Sequence, residues 1–485
     1  MTSETSSGGT PPGTAHATAT DPPTATGRPA PANGRPMMAI QVGAISFADE
    51  GIPPVLDVLQ ERAGVDAIFF AAYTYTRGTG GRQVPGWPLP DHGEQEYDDF
   101  SGGNFAQTHP QYYARTSIQD FQSPDEATRG TDWLEAILPE CQRRGVAVYA
   151  WAVERFGMFV TGAQRLLQRD AYGRPMAQPC YANPDYRAWM LGLMEDYAKS
   201  YPVAGIMWGS ERRGPFEATV LGGAPYCFCE HCLAAGRAAG IDVERARLGY
   251  RELHEFVRAS RSGIRPRDGH LVQFWRVLLR HPEVLQWEKL WFEQQQALHQ
   301  DIYGTVKTAD PKKTVGWHVW HQISFSPLLR AEWDYAALRP YSDWVKPVLY
   351  NNCAGSRYHD YLGDWHRSAF ADATPEDTYR YQLKALGLDE APFEELPNAG
   401  WSAEYVERET RRTVEGVNDE IPVYPGIDVD IPSGECPTTP ERVRDAVLGA
   451  LRGGAQGVIL SRKYSEMQLA NLSGAGQALK ELGYR

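Results

Sequence analysis

Apolar runs of strand length alternate with stretches of helical period along most of this chain. The run AIQVGAISF (39–47) is followed by PPVLDVLQERAG (53–64), whose apolar residues recur at helical spacing before a closing glycine. AIFFAAYTY (67–75) reads as a second strand, WLEAILPECQRRG (133–145) as a helix and VAVYAWAVE (146–154) as a third strand. NPDYRAWMLGLMEDYAKSY (183–201) predicts a helix with Asn183 as N-cap and Pro184 at its first position, ahead of a fourth strand, AGIMWGS (204–210). TVGWHVWH (314–321), DWVKPVLYNN (343–352), PVYPGIDVD (422–430) and GVILSRKY (457–464) complete a set of eight, and helical stretches 401–418 and 438–453 separate the last of them.

Strands that are apolar on both faces and each followed by a helix belong to a parallel sheet. Eight such units predict an α/β fold, a (β/α)8 TIM barrel with long βα loops. An open doubly wound sheet is the alternative, but no Gly-rich phosphate loop follows the first strand. Long segments follow the second strand (about 76–128), the fourth (211–313, with helices) and the sixth (351–400). All three leave the C-terminal ends of strands, the face where barrels carry their active sites. The barrel is expected to fill 37–485 as one domain. Residues 1–36 are rich in Thr, Pro, Gly, Ala and Ser and nearly free of bulky apolar side chains, so they are expected to form a disordered tail.

Composition narrows the function classes. Of 485 residues, 61 are acidic and 48 basic, a net charge of −13 with no long basic run, which argues against nucleic acid or an anionic membrane as partner. No apolar run approaches the ~20 residues of a membrane span. The first 36 residues lack the charged start and apolar core of a signal peptide. Seven cysteines are too few for a disulfide scaffold at this length, so a reducing, cytoplasmic location is expected. The sequence leaves room for self-association into a homo-oligomer. The 14 tryptophans and 25 tyrosines suit flat sugar-binding faces as well as a large core.

The strand ends hold the candidate chemistry. The fourth ends Trp208-Gly209-Ser210-Glu211-Arg212-Arg213 and the seventh Gly426-Ile427-Asp428-Val429-Asp430, whose two aspartates share a side by alternation. Two carboxyls from opposite walls are what glycosidic cleavage needs, one to protonate the leaving oxygen and one to attack C1 or activate water. Glu211, Asp428 and Asp430 are therefore the catalytic candidates. A bland reading stands beside this one, with Glu211 paired to Arg212 or Arg155 and the aspartates capping the following loop. A ring of Trp151 and Glu154 (third strand), Trp208 and Arg212 (fourth), His318, Trp320 and His321 (fifth), Tyr350 and Asn351 (sixth), and Arg462, Tyr464 and Glu466 (eighth) would bind the sugar. No HExxH or similar tight ligand motif points to a catalytic metal.

Cys180 followed by the compact Cys227-Phe228-Cys229-Glu230-His231-Cys232 has the ligand set of a closed tetrahedral Zn²⁺ site, structural in role. Cys141, Cys353 and Cys436 read as single thiols.

The order of Cys180-Tyr181-Ala182-Asn183-Pro184-Asp185-Tyr186-Arg187, a strand ending in Glu211, and Cys227-Phe228-Cys229-Glu230-His231-Cys232 resembles the family 42 β-galactosidases and related barrel hydrolases. The resemblance covers roughly 180–235. It implies structural zinc on Cys180, Cys227, Cys229 and Cys232, with Glu211 as acid/base. The chain departs from the family in having Ser210 where an asparagine precedes the acid/base, and Asp428 and Asp430 where the seventh strand carries a glutamate nucleophile. It is also shorter than those enzymes. The expectation is a glycoside hydrolase acting on a carbohydrate. The alternatives are a barrel enzyme of another class acting on a sugar (lyase, isomerase or transglycosidase) and a sugar-binding barrel without turnover.

Overall fold

The computed structural model describes residues 34–74, 90–94, 102–154, 160–430 and 436–484, without the side chain of Glu154. Its centre is a parallel barrel of eight strands: β1 (Met37–Val42), β2 (Ala67–Tyr73), β3 (Ala147–Glu154), β4 (Gly205–Ser210), β5 (Thr314–Val319), β6 (Trp344–Pro347), β7 (Gly426–Asp428) and β8 (Gly457–Ser461). Each of β1 to β5 pairs with the next, β8 pairs with both β7 and β1, and the Val345–Val423 and Val348–Gly426 bridges bring β6 to β7.

The eight strands fall where the hydrophobic runs lie, with one difference in kind. The first run stops being a strand at Val42, and Ala44–Glu50 is a short helix with Ala44, Ile45, Ser46 and Phe47 buried. A continuous apolar run has no period of its own to separate strand from buried helix. The expected helix start at Asn183 is present, its side chain accepting from the amides of Asp185 (2.9 Å) and Tyr186 (3.4 Å).

Most of the expected tail, 1–33, lies outside the described residues. Arg35 is already docked, pairing with Asp66 at 2.8 Å. Among the described residues, no helix is long and apolar enough to cross a membrane.

Inward-pointing residues fill the lower barrel with rings. Phe69 stacks on Tyr149 at 4.6 Å and meets the edge of Trp344 at 5.3 Å. Gly316 makes room for Trp344, since a Cβ at 316 would lie 2.2 Å from the indole. Outward-pointing Trp208 and Trp317 pack instead on His299 of the long helix Glu283–Ala309, which ends the insertion after β4.

Candidate active site

Strand alternation delivers a column of polar groups to the upper barrel, above the ring layer. On β6, Trp344 and Lys346 share the inward parity; on β5, Gly316 and His318 do; beyond β4, Glu211 continues the inward series Met207, Gly209. Lys346 Nζ lies 3.3 Å from His318 Nδ1, and His318 Nε2 lies 3.2 Å from Glu211 Oε1. Gly209 lets His318 stand there, because a Cβ at 209 would come within 2.5 Å of the histidine Cβ. The lysine ammonium also sits 5.9 Å from the ring centres of both Trp151 and Tyr350.

Burial sets the charge of this column. It pushes Lys346 down to about 7, against the pull of the Glu211 carboxylate. It also lowers His318, helped by the neighbouring lysine and opposed by the bond to Glu211, so the imidazole is neutral near pH 7. Glu211 is the member open to solvent, with 24% of its side chain exposed against 2% for His318.

Above the column opens a cleft lined by Glu211, His318, Trp151, Tyr350, Arg357, Arg462, Lys463 and Glu466, with Gln41, Thr74 and Val153 completing the wall. Glu466 is held by a forked pair with Arg462, at 3.1 and 3.3 Å, and by the Lys463 amide at 2.9 Å. The cleft thus brings together six residues singled out in the sequence: Trp151, Glu211, His318, Tyr350, Arg462 and Glu466. Gln41, Arg357, Lys463 and the buried Lys346 are additions. A lysine two residues after an inward tryptophan in DWVKP, and a glutamine at the inward parity of AIQV, were the available signals.

Other expected residues are elsewhere. Trp208 is three positions before Glu211 and so has the opposite parity, facing the helices. Arg212 is buried away from the cleft, donating to the Pro179 carbonyl at 2.5 Å and lying 4.5 Å from the centre of the Tyr181 ring. Trp320 carries the Arg213 guanidinium on its face, 5.3 Å from the ring centre. His321 sits behind Tyr350, with Arg357 Nη1 3.4 Å from its Nδ1. Asn351 ties the sixth loop to Trp401, whose amide it accepts at 2.8 Å. Tyr464 donates to Glu50 at 3.2 Å. The side chain of Glu154, and all of Arg155, lie outside the described residues.

The seventh-strand aspartates need the largest correction. Asp428 keeps the inward parity, but the start of the helix Asn351–His366 roofs it. Its carboxylate accepts from the Asn352 amide (3.3 Å) and the Cys353 amide (3.0 Å), and neither it nor Asp430 lines the cleft. Asp430 accepts from the Gln468 amide at 2.6 Å and Asn471 at 3.0 Å, at the start of the helix Leu469–Glu481. Burial raises both carboxyls above the ordinary range, Asp430 to about 7. Both carboxylates thus meet the starts of helices from other parts of the chain, while the loop that follows them, 431–435, lies outside the described residues. Asp428→Asn turns one acceptor into a donor facing an amide and is expected to cost about 1–3 kcal/mol of stability in urea denaturation. Unchanged stability together with a hundredfold or greater loss of turnover would return a catalytic role to Asp428.

The four cysteines do converge. Cys180, Cys227, Cys229 and Cys232 are buried, and their sulfurs all lie within 4.8 Å of one another, close enough to hold a metal ion. Cys180 leaves a hairpin (Leu167–Arg169 and Pro175–Pro179), while Cys229 caps and Cys232 enters the helix Glu230–Ala238, so the cluster fastens the segment after β3 to the insertion after β4. From there Tyr181, next to Cys180, hydrogen-bonds Ser210, next to Glu211.

The chain matches no family model and no curated protein sequence. Among solved structures it is similar to the β-galactosidase from the psychrophilic Marinomonas ef1, at 12% identity and a TM-score of 0.52 over 92% of this chain and 59% of that one. The cold-adapted β-galactosidase from Rahnella sp. R3 gives 12%, 0.52, 94% and 57%, and a GH42 β-galactosidase from G. stearothermophilus 10%, 0.51, 94% and 58%. The chain therefore spans under two thirds of the length of each, and the shared property is the barrel fold.

Proposed function

We propose that this protein is a glycoside hydrolase, with Glu211 as general acid and Glu466 as the second carboxyl. The observation that carries the reading is that Glu211 and Glu466 line one ring-walled cleft at the C-terminal mouth of the barrel. Glu211 protonates the leaving oxygen. Glu466, oriented by Arg462, attacks the anomeric carbon or activates water. Trp151 and Tyr350 offer faces for the C–H side of the sugar ring. The glycosidase names of the structural neighbours agree with this chemistry, although fold likeness alone does not assign it.

We further infer that the cysteine cluster holds Zn²⁺. A tetrahedral zinc with Zn–S of about 2.3 Å sets its sulfurs about 3.8 Å apart. Cys180 Sγ lies 3.4 Å from the sulfurs of Cys232 and Cys229, and the widest separation in the cluster stays within 4.8 Å. Four thiolates leave no open position for water, so the ion braces the fold and takes no part in bond cleavage.

The test is a panel of 4-nitrophenyl glycosides and natural disaccharides, with products weighed by mass spectrometry. Hydrolysis adds one water to the product pair. An unsaturated sugar would identify a lyase, and saturable binding without turnover a carbohydrate-binding barrel.

A further inference from the structure

An ammonium inside a barrel is costly unless a carboxylate meets it, yet Lys346 is fully buried and has no ion pair among the described residues. Among the described residues its hydrogen-bond partner is His318 Nδ1. Among the described residues, its neighbours offer it no other charge within hydrogen-bond reach. β3 presents the Trp151 ring and β8 the Ser461 hydroxyl. β7 presents Gly426, where a Cβ would come within 2.6 Å of the lysine Cε. After β6 come the Tyr350 phenol and Arg357, and Arg357 reaches His321. The Asp428 carboxylate is turned to the amides of Asn352 and Cys353. Glu211 is reached only through the histidine.

We propose that Lys346 is a positioning residue that stores the proton Glu211 delivers and passes it on through His318. This rests on the glycosidase reading. An ammonium donates and never accepts, so it fixes Nδ1 as the acceptor and leaves the imidazole proton on Nε2, aimed at Glu211. Two coordinated transfers then follow. The Nζ–H bond of Lys346 breaks as Nδ1–H forms, and Nε2–H breaks as the Oε1–H bond of Glu211 forms. An ammonium, a neutral imidazole and a carboxylate become an amine, a neutral imidazole of the other tautomer and a carboxylic acid. The electron pairs stay on nitrogen and oxygen, and no charge remains separated in the dry interior. After Glu211 gives its proton to the leaving oxygen, the water that completes hydrolysis supplies a replacement, directly to Glu211 where Glu466 is the nucleophile, or to Glu466 and thence through solvent where Glu466 is the base. Burial that brings the lysine to about 7 makes the transfer feasible near neutral pH.

The test is Lys346→Met, assayed on the 4-nitrophenyl glycoside that the wild type cleaves fastest and on a disaccharide of the same sugar. In the wild type the alkaline limb of kcat/KM should fall near the lysine value of about 7. In Lys346→Met it should move to lower pH, lowering disaccharide hydrolysis at neutral pH by about 10²-fold or more. The nitrophenyl substrate, whose leaving group needs no proton, should lose less than about tenfold. His318→Gln should move the limb the same way, and the double variant should add nothing. A folded Lys346→Met with the wild-type limb overturns the proposal and leaves the glycosidase reading standing. Should the variants not fold, ¹³Cε-lysine NMR of the wild-type chain decides. One lysine titrating near neutrality supports the store, and a Lys346 that stays ammonium well into the alkaline range overturns it. If the wild type cleaves no glycoside, it is the underlying reading that fails.

Discussion

Glu211→Gln is expected to lower hydrolysis of an unactivated glycoside by about 10²–10⁴-fold while sugar binding is largely kept. The amide preserves the shape of the side chain and removes its exchangeable proton. The loss should shrink as the leaving group becomes more acidic, because such a group departs without a donor. Glu466→Gln should be damaging across the whole substrate series if that carboxyl is the nucleophile or base. The stereochemistry of the first-formed product then reports the spacing of the pair, with retention for carboxyls ~5–5.5 Å apart and inversion for ~6.5–9.5 Å. Wild-type hydrolysis of a disaccharide by Glu211→Gln would remove Glu211 from the mechanism and turn attention to Glu154.

Purified protein should carry about one zinc ion per chain, and stripping it should be the most damaging single treatment. Binding of a structural zinc by four thiolates is worth on the order of 10–16 kcal/mol, comparable with the whole stability of a domain. Cys229→Ser should therefore lower the metal content measured by elemental analysis and bring a marked drop in melting temperature. What remains folded should lose activity indirectly, because Cys180 is followed by Tyr181, which holds Ser210 beside Glu211. A metal-free preparation with unchanged melting and full turnover would show that the sulfurs only pack.

The barrel was legible because its strands are continuous apolar runs between turn residues, a pattern that depends little on exact boundaries. The cysteine cluster was legible because its spacing is local. The wall of the cleft was less so, for two physical reasons. Side-chain parity separates Trp208 from Glu211 although both stand at the same strand end, and parity emerges only when register is fixed. Capping competes for the same residue types as catalysis, and the helix after β6 and the last helix claimed Asp428 and Asp430. Arg357 lies in the second turn of a helix, where no strand-end rule looks, while Lys346 was in plain view inside an apolar strand.

The rings beneath the column close the lower barrel. Phe69, Tyr149, Met207, Trp344 and Ile459 pack there together with Tyr424. Among the described residues this floor leaves no passage out of the bottom of the barrel. On the glycosidase reading, a sugar that enters past Glu211 and Glu466 finds no way through that floor, so a released product occupies the ground that the next molecule needs. Kinetically this makes spent sugar a rival of fresh substrate.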